Sequence, residues 1–536
     1  MKFSFFRLSF LAGVMLSFGL LFFAFFIFFT LYQEATFSFS DINERIYGLL
    51  WFTLYQASLS TFISLVVGVT LAWALVHQSS FKGREILIAI LSSSLVLPTL
   101  IVVFGLIGIY GKNGYLNQLS LFLFDKDLGG YIYGLGGILV AHVYLNASFA
   151  SRAILQALSS IPKEKYKLAK SLNFSLIQRF YYVEYPAVKA TLLGIGTTIF
   201  LLCFTSFSIV LLLGGNPSYN TLEVAIYEAV KLDFDIEFAL KLALIQLFIS
   251  SILVIASSFF KLEVSNLQVD KHFPVLKELK IVALFQYAII TLFSLFFISP
   301  LVVIFIQGID ANFTDIIKQP MFIKSLYTSL TIATLSSIIS LFFIIVLSAS
   351  KRNLSSSLRL KKRAWSPFLT ILMAFSSNIY LSVSSLIIGL GFFLLSLNEN
   401  FTLFFWSSFA VISANVLLSL PFGISILSPL MEKTATRYDR VSFSLGLNTW
   451  ERWKFVEYPY LKSSIGYILA LSFCFSLGDF GVISLFGSET FTTLPWYLYS
   501  LMGSYQTNDA SGVALIILGI VLIVFIFVPK LFHSSK

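Results

Sequence analysis

Charge is scarce in this sequence. Only 12% of its 536 residues are Asp, Glu, Lys or Arg, roughly half the share usual in soluble domains. With 57% apolar residues and a mean hydropathy of +0.89, water is not the main solvent of the folded chain. Cysteine is nearly absent: Cys203 and Cys474 both fall inside apolar runs, which argues for packing roles and against a disulfide framework or a thiolate metal site. Of only four His, His142 stands in the fourth apolar run with Asn415 as its counterpart later in the chain. It reads as a hydrogen-bonded interior residue rather than a ligand, so no metal site is expected. The phosphate-loop pattern GxxxxGK[ST] is missing, since Gly105 to Lys112 has the wrong spacing and Asn113 stands where a hydroxyl is needed. The chain therefore carries no ATP-hydrolysing motif and no catalytic residue of its own. The first apolar run follows Lys2 and Arg7 but is long and lacks a small-residue cleavage site, so it is expected to be a retained helix rather than a leader.

What the sequence does have is apolar runs of about 20 residues, the length that spans a hydrocarbon core. Twelve recur along the chain, the first near residues 8–32 and the last near 512–529. The expected fold class is an all-α polytopic membrane protein of about 12 transmembrane helices. The net charge of +10 sets the orientation. With both termini in the cytoplasm, most of the 36 Lys and Arg fall in cytoplasmic segments, as the positive-inside rule requires. Basic runs such as Lys361-Lys362-Arg363 are then topogenic and not nucleic-acid sites.

The chain also repeats itself. Val183-Glu184-Tyr185-Pro186 returns as Val456-Glu457-Tyr458-Pro459, an offset of 273 residues, and the same offset pairs Phe149 with Phe422, Leu172 with Leu445, Phe207 with Phe480 and Gly214 with Gly487. Six runs per half return the chain to its starting side, so the repeats are parallel, which counts against inverted-repeat transporters. The expected division is an N-terminal helix and periplasmic segment over 1–49, a first membrane domain over 50–260, a linker and connecting helix over 261–322, and a second membrane domain over 323–530.

The longest basic segment of each half reads as helix, turn, helix. Ile161-Pro162-Lys163-Glu164 opens a helical stretch, Pro being favoured in a first turn. Asn173 and, at the matching place, Gly446 both tolerate the left-handed conformation of a sharp turn. Pro186 and Pro459 stand where the next membrane helix begins. These segments resemble the cytoplasmic loop of ABC importer permeases, in which an EAA sequence, three residues and a Gly precede a later Pro. The corresponding stretches are Lys167-Leu168-Ala169-Lys170-Ser171-Leu172-Asn173 and Arg440-Val441-Ser442-Phe443-Ser444-Leu445-Gly446. Both lack the first Glu, and the first copy replaces the Gly by Asn. The resemblance implies two six-helix type I importer repeats and ATPase-coupling roles for Glu164, Ala169, Leu172, Asn173, Glu184 and Pro186, and for Asp439, Leu445, Gly446, Glu457 and Pro459. The plainer reading makes them amphipathic loops on anionic headgroups, which leaves the repeated VEYP unexplained.

Longer runs, from Leu97 to Gln118, Tyr133 to Asn146 and Leu201 to Ala229, resemble the thiamine ABC transporter permease family, with related ferric-iron permeases sharing the fused architecture. That family implies a bacterial inner-membrane subunit that moves thiamine or its phosphates inward. It also implies two copies of a separate ATPase, which bind the ATP and Mg, and a periplasmic thiamine-binding protein, with no cofactor in the chain itself. Ferric iron as cargo and an ion-coupled secondary transporter are the alternatives, the latter requiring more carboxylates within spans. One carboxylate does lie near the outer end of a run. Asp479, with Ser206 as its counterpart and Phe480 or Phe207 following, is either a structural hydrogen-bonding group or part of a cationic substrate's path.

Overall fold

The chain is seen in a computed structural model that describes residues 4–34, 43–215, 219–258, 279–360, 366–398 and 403–532. Lys361-Lys362-Arg363 and the first part of the expected linker, 261–278, lie outside the described residues. The first half runs α1 (Ser4–Glu34), α2 (Glu44–His77), α3 (Arg84–Ser92), α4 (Thr99–Tyr110), α5 (Tyr115–Phe124), α6 (Leu135–Ser159), α7 (Lys163–Ser171), α8 (Leu176–Arg179), α9 (Tyr185–Phe204), α10 (Ser208–Leu213), α11 (Leu222–Lys231) and α12 (Ile236–Ser258). The second runs α13 (Lys280–Ile309), α14 (Phe313–Lys318), α15 (Pro320–Leu360), α16 (Ser366–Asn378), α17 (Ser385–Asn398), α18 (Leu403–Ser444), α19 (Thr449–Arg452), α20 (Tyr458–Leu477), α21 (Gly481–Phe486), α22 (Leu494–Gly503) and α23 (Thr507–Leu531). No strand occurs among the described residues. Helices dominate because in hydrocarbon each backbone N–H and C=O must be satisfied within its own segment.

Among the described residues, 10 helices are long and apolar enough to cross a membrane, or 12 if each of two bent pairs counts as one span. The protein is therefore a polytopic all-α membrane protein. The sequence reading places straight spans near 86–110 and 367–395; the structure breaks both. Residues 93–95 and 379–381 form single 3-10 turns, and the second break bends the chain by 86°. Pro98 precedes α4, while at the matching place Ser384 accepts a hydrogen bond from the Ile387 N–H at 3.2 Å. Pro and an N-cap Ser are two ways of starting a helix afresh.

The helices gather into two compact units. In one, α2 lies along α6, with α9 beside both and α13 against α2 and α4. Gly68 permits the close approach of α2 to α6: a Cβ there would stand 2.6 Å from the Ala150 Cβ. In the other unit, α15 lies along α18 and α20, with α1 against α15 and α16. There the small residue sits on the opposite helix, Gly423 of α18 facing the Ile344 side chain of α15. Small residues at such crossings let backbones approach, and the contact then rests on packing rather than on the hydrophobic effect. Cys203 and Cys474 are buried free thiols. His142 Nδ1 lies 2.9 Å from the Ser60 hydroxyl, and Asn415 donates from Nδ2 to the Ser476 hydroxyl at 3.0 Å.

Candidate functional site

Two hairpins, one in each half, follow the same plan. In the first, α7 ends at Ser171 and Asn173 turns left-handed at φ +52°. The Phe174 N–H donates to the Ala169 carbonyl at 3.0 Å, and the Asn173 N–H donates to that of Lys170 at 3.1 Å. In the second, Gly446 has φ +66° and the Leu447 N–H donates to the Ser442 carbonyl at 3.1 Å. The six-to-one bond across a left-handed residue is the Schellman ending, which satisfies carbonyls that a helix terminus leaves open. The chain then starts a new helix through a reciprocal cap. The Ser175 hydroxyl accepts from the Gln178 N–H while Gln178 Oε1 accepts from the Ser175 N–H. In the other half Asn448 and Glu451 exchange the same two bonds at 2.9 and 2.8 Å. Both pairs fit the capping-box spacing, a signal present in the sequence at S-x-x-Q and N-x-x-E that the sequence reading did not use.

The hairpins differ in one respect. The sequence reading expects a separate helix to open each of them. In the first half α6 stops and α7 restarts behind Pro162, which has no N–H to give. Ala435 takes that place in the second half, and α18 continues without interruption over 42 residues.

Beyond each cap the backbone widens into a π-helical turn, Phe180–Glu184 and Trp453–Glu457. In an α-helix residues five apart point about 140° away from each other; the wider π turn sets them one above the other. Arg179 and Glu184 meet in this way, Nε to Oε1 at 3.5 Å, and Arg452 and Glu457 at 2.7 Å. Both carboxylates are buried, Glu184 at 1% and Glu457 at 5% relative exposure. Each also reaches the C-terminal part of a long helix. His77 Nε2 of α2 lies 3.1 Å from Glu184 Oε1 and 3.1 Å from Arg179 Nη2. Arg352 of α15 pairs with Glu457, and Asp439 of α18 holds the other side of Arg452 at 2.8 Å. The His77 Nδ1 contact with the Trp73 carbonyl, at 2.8 Å, requires the hydrogen on Nδ1, because a carbonyl only accepts. Burial, and next the charge of Glu184, push the Tyr166 hydroxyl upward, so it stays protonated at the edge of this cluster.

While one face of each hairpin is tied inward, the other is apolar and exposed. Leu168, Leu172, Ile177 and Tyr182 are exposed in the first, and Val441, Leu445, Trp450 and Phe455 in the second. All four pairs lie at the 273-residue offset. Of the expected hairpin residues, Leu172 and Leu445 lie on this face, Ala169 is buried beneath it and Glu164 is exposed in the first turn of α7. Asp439, Glu184 and Glu457 belong to the inward clusters, and Pro186 and Pro459 stand in the first turns of α9 and α20. Arg179, Arg452, His77 and Arg352 are absent from the sequence reading.

The four residues of the expected substrate path fall at helix breaks. Ser206 and Phe207 lie between α9 and α10, Asp479 and Phe480 between α20 and α21. Phe207 and Phe480 are buried, and the Phe480 ring centroid is 4.9 Å from that of Tyr499. Asp479 Oδ1 accepts from the Gly481 N–H at 3.1 Å, capping the first turn of α21. Its Oδ2 is buried, and the Ser385 side chain at the start of α17 and the Val482 N–H lie against the carboxylate. Since α17 packs on α21, two helix breaks stand side by side at this carboxylate. Discontinuous membrane helices of this kind are where transporters bind solutes, because their open backbone ends need partners.

No family model matches the chain. It is 35% identical over 492 residues to the thiamine transport system permease protein ThiP of Haemophilus influenzae, covering 91% of this chain and 89% of the relative. The proteins of the same name from Salmonella typhimurium and Escherichia coli are 34% and 33% identical over 490 and 492 residues, each match covering 91% of this chain and 90% of the relative. With its helices, its paired hairpins and these matches over nine-tenths of its length, the chain belongs to the thiamine transport system permease family.

Proposed function

We propose that this chain is the membrane subunit of an ATP-driven ABC importer that carries thiamine, or its phosphates, inward across a bacterial inner membrane. Both termini are then cytoplasmic and both hairpins face the cytoplasm. Two copies of a separate ATPase bind the ATP and Mg, each copy seated on one hairpin, and a periplasmic binding protein delivers the solute. The chain performs no covalent chemistry and holds no cofactor. The observation that carries this reading is the duplicated apolar face. Leu168, Leu172, Ile177 and Tyr182 are matched by Val441, Leu445, Trp450 and Phe455, and two like patches suit two copies of one partner. ATP-driven closure of the ATPase pair moves the hairpins, and the helices behind them alternate between outward and inward access as packed bodies. Thiamine carries a fixed positive charge, and Asp479 supplies the opposite charge at the helix breaks. The test is labelled thiamine uptake in cells lacking this chain, and in cells that keep it but lack the ATPase. Loss in both supports the reading; uptake that persists without the ATPase replaces it with ion-coupled transport.

A further inference from the structure

The exposed faces of the hairpins need a rigid base, and little apolar packing supplies one. In the first hairpin α8 buries no residue and α7 buries only Tyr166 and Ala169. What is repeated instead is a charge cluster. Arg179 with Glu184, and Arg452 with Glu457, keep the same residue types, the same five-residue separation and the same π turn. Their surroundings differ: the caps are Ser with Gln in one hairpin and Asn with Glu in the other. The inner base is His77 in one and Arg352 in the other. In each cluster arginine is matched by carboxylate. Arg179 and Glu184 offset each other beside a His bonded to the Trp73 carbonyl, and Arg352 and Arg452 offset Glu457 and Asp439. Buried ions kept in balance cost less than unpaired ones but add little stability, and their best-attested use is to fix a unique arrangement.

We propose that Glu184 and Glu457 are positioning residues. Each carboxylate clamps its hairpin, through the arginine five residues earlier, to the C-terminal part of the long helix α2 or α15. The apolar face beside it, Ile177 or Trp450, is thereby held at a fixed angle to its helix bundle. A push on that face then moves the bundle rather than swivelling the loop. The functional half of this inference rests on the ATP-driven reading given above; the mechanical half does not.

The two hairpins serve as controls for each other. Ile177 and Trp450 are exposed and occupy matching positions, whereas Cys203 and Cys474 are fully buried, so a nitroxide spin label directed to Ile177→Cys or Trp450→Cys reports one hairpin at a time. In the full chain in detergent, Glu457→Gln increases the mobility of the label at position 450 and leaves the one at 177 unchanged. Glu184→Gln does the reverse. Unchanged spectra in monodisperse protein overturn the clamp. Should a Gln variant fail to fold, Arg452→Lys or Arg179→Lys decides the matter, since Lys keeps the charge but lacks the planar fork, and a normal spectrum there counts against the proposal. Reconstituted with the ATPase, a mobilised hairpin lowers thiamine moved per ATP hydrolysed by about fivefold or more, while the ATPase stays bound; full coupling with a mobilised label overturns the positioning role. If the unaltered chain retains no ATPase at all, the ATP-driven reading fails while the label result still stands or falls by itself.

Discussion

Arg452 and Glu457 meet at 2.7 Å inside the second hairpin, and their contact depends on the π turn that separates them. Glu457 also receives Arg352 from α15, so two buried guanidinium groups share this carboxylate, with Asp439 on the other side of Arg452. Removing it leaves both without their common partner, and breaking a buried ion pair in this way costs about 3 to 5 kcal/mol. Glu457→Ala is expected to unfold at clearly lower temperature in detergent than the parent chain. A double variant with Arg352→Met is expected to recover part of the loss, because it removes one of the two charges that Glu457 offsets. Thermal unfolding of the three proteins checks this.

The left-handed turns give a second expectation. Asn173 at φ +52° and Gly446 at φ +66° occupy a region where a β-branched residue costs about 1 to 2 kcal/mol. Gly446→Val and Asn173→Val are expected to open the Schellman ending, speeding hydrogen exchange at Phe174 or Leu447, and to reduce retention of the ATPase. Asn173→Gly, which makes the first turn like the second, is expected to leave retention intact.

These turns were readable in the sequence because they rest on local chemistry, a residue able to turn left-handed followed by a residue able to cap. The break between α6 and α7 was readable for the same reason in Pro162, although its absence at Ala435, and hence the continuous α18, went unread. The inner partners were not readable. His77 lies 102 residues from Arg179, and Arg352 lies 105 from Glu457. Pairings of that range are set by which helices pack together, which the spacing within a hairpin does not encode. The capping role of Asp479 was hidden too, because its apolar surroundings read as one span and only the break before α21 creates an N-terminus to cap.

The crossing of α2 with α6 and that of α15 with α18 reach similar packing with the small residue on opposite sides, Gly68 against Ala150 in one and Ile344 against Gly423 in the other. Gly68→Ile alone is expected to overpack its crossing by about 1 to 3 kcal/mol. Adding Ala150→Gly, which reproduces the second-half arrangement, is expected to restore a good part of that stability. A thermal-unfolding comparison of the single and double variants checks the exchange, and equal losses in both would refute it.

A pair of substitutions separates the capping contact of Asp479 from the cation-facing role proposed for it. Its Oδ1 caps α21 through the Gly481 N–H at 3.1 Å, a contact worth about 1 kcal/mol in helix caps generally. Its Oδ2, buried where Ser385 approaches the carboxylate, is the atom that would meet a cation. Asn keeps an acceptor oxygen for the cap and removes the charge; Ala removes both. Asp479→Asn is therefore expected to insert and unfold like the parent chain, while Asp479→Ala loses some stability. If the charge serves the solute, both variants lose transport to a similar degree. A lost interaction of about 1.5 to 3 kcal/mol between a charged group and its partner corresponds to a fall of about tenfold to a hundredfold. Labelled thiamine uptake, measured over a range of concentrations in cells with matched levels of inserted protein, separates the two roles. Normal uptake by Asp479→Asn together with a destabilised Asp479→Ala would leave the carboxylate as a helix cap alone and move the cation's path elsewhere in the bundle.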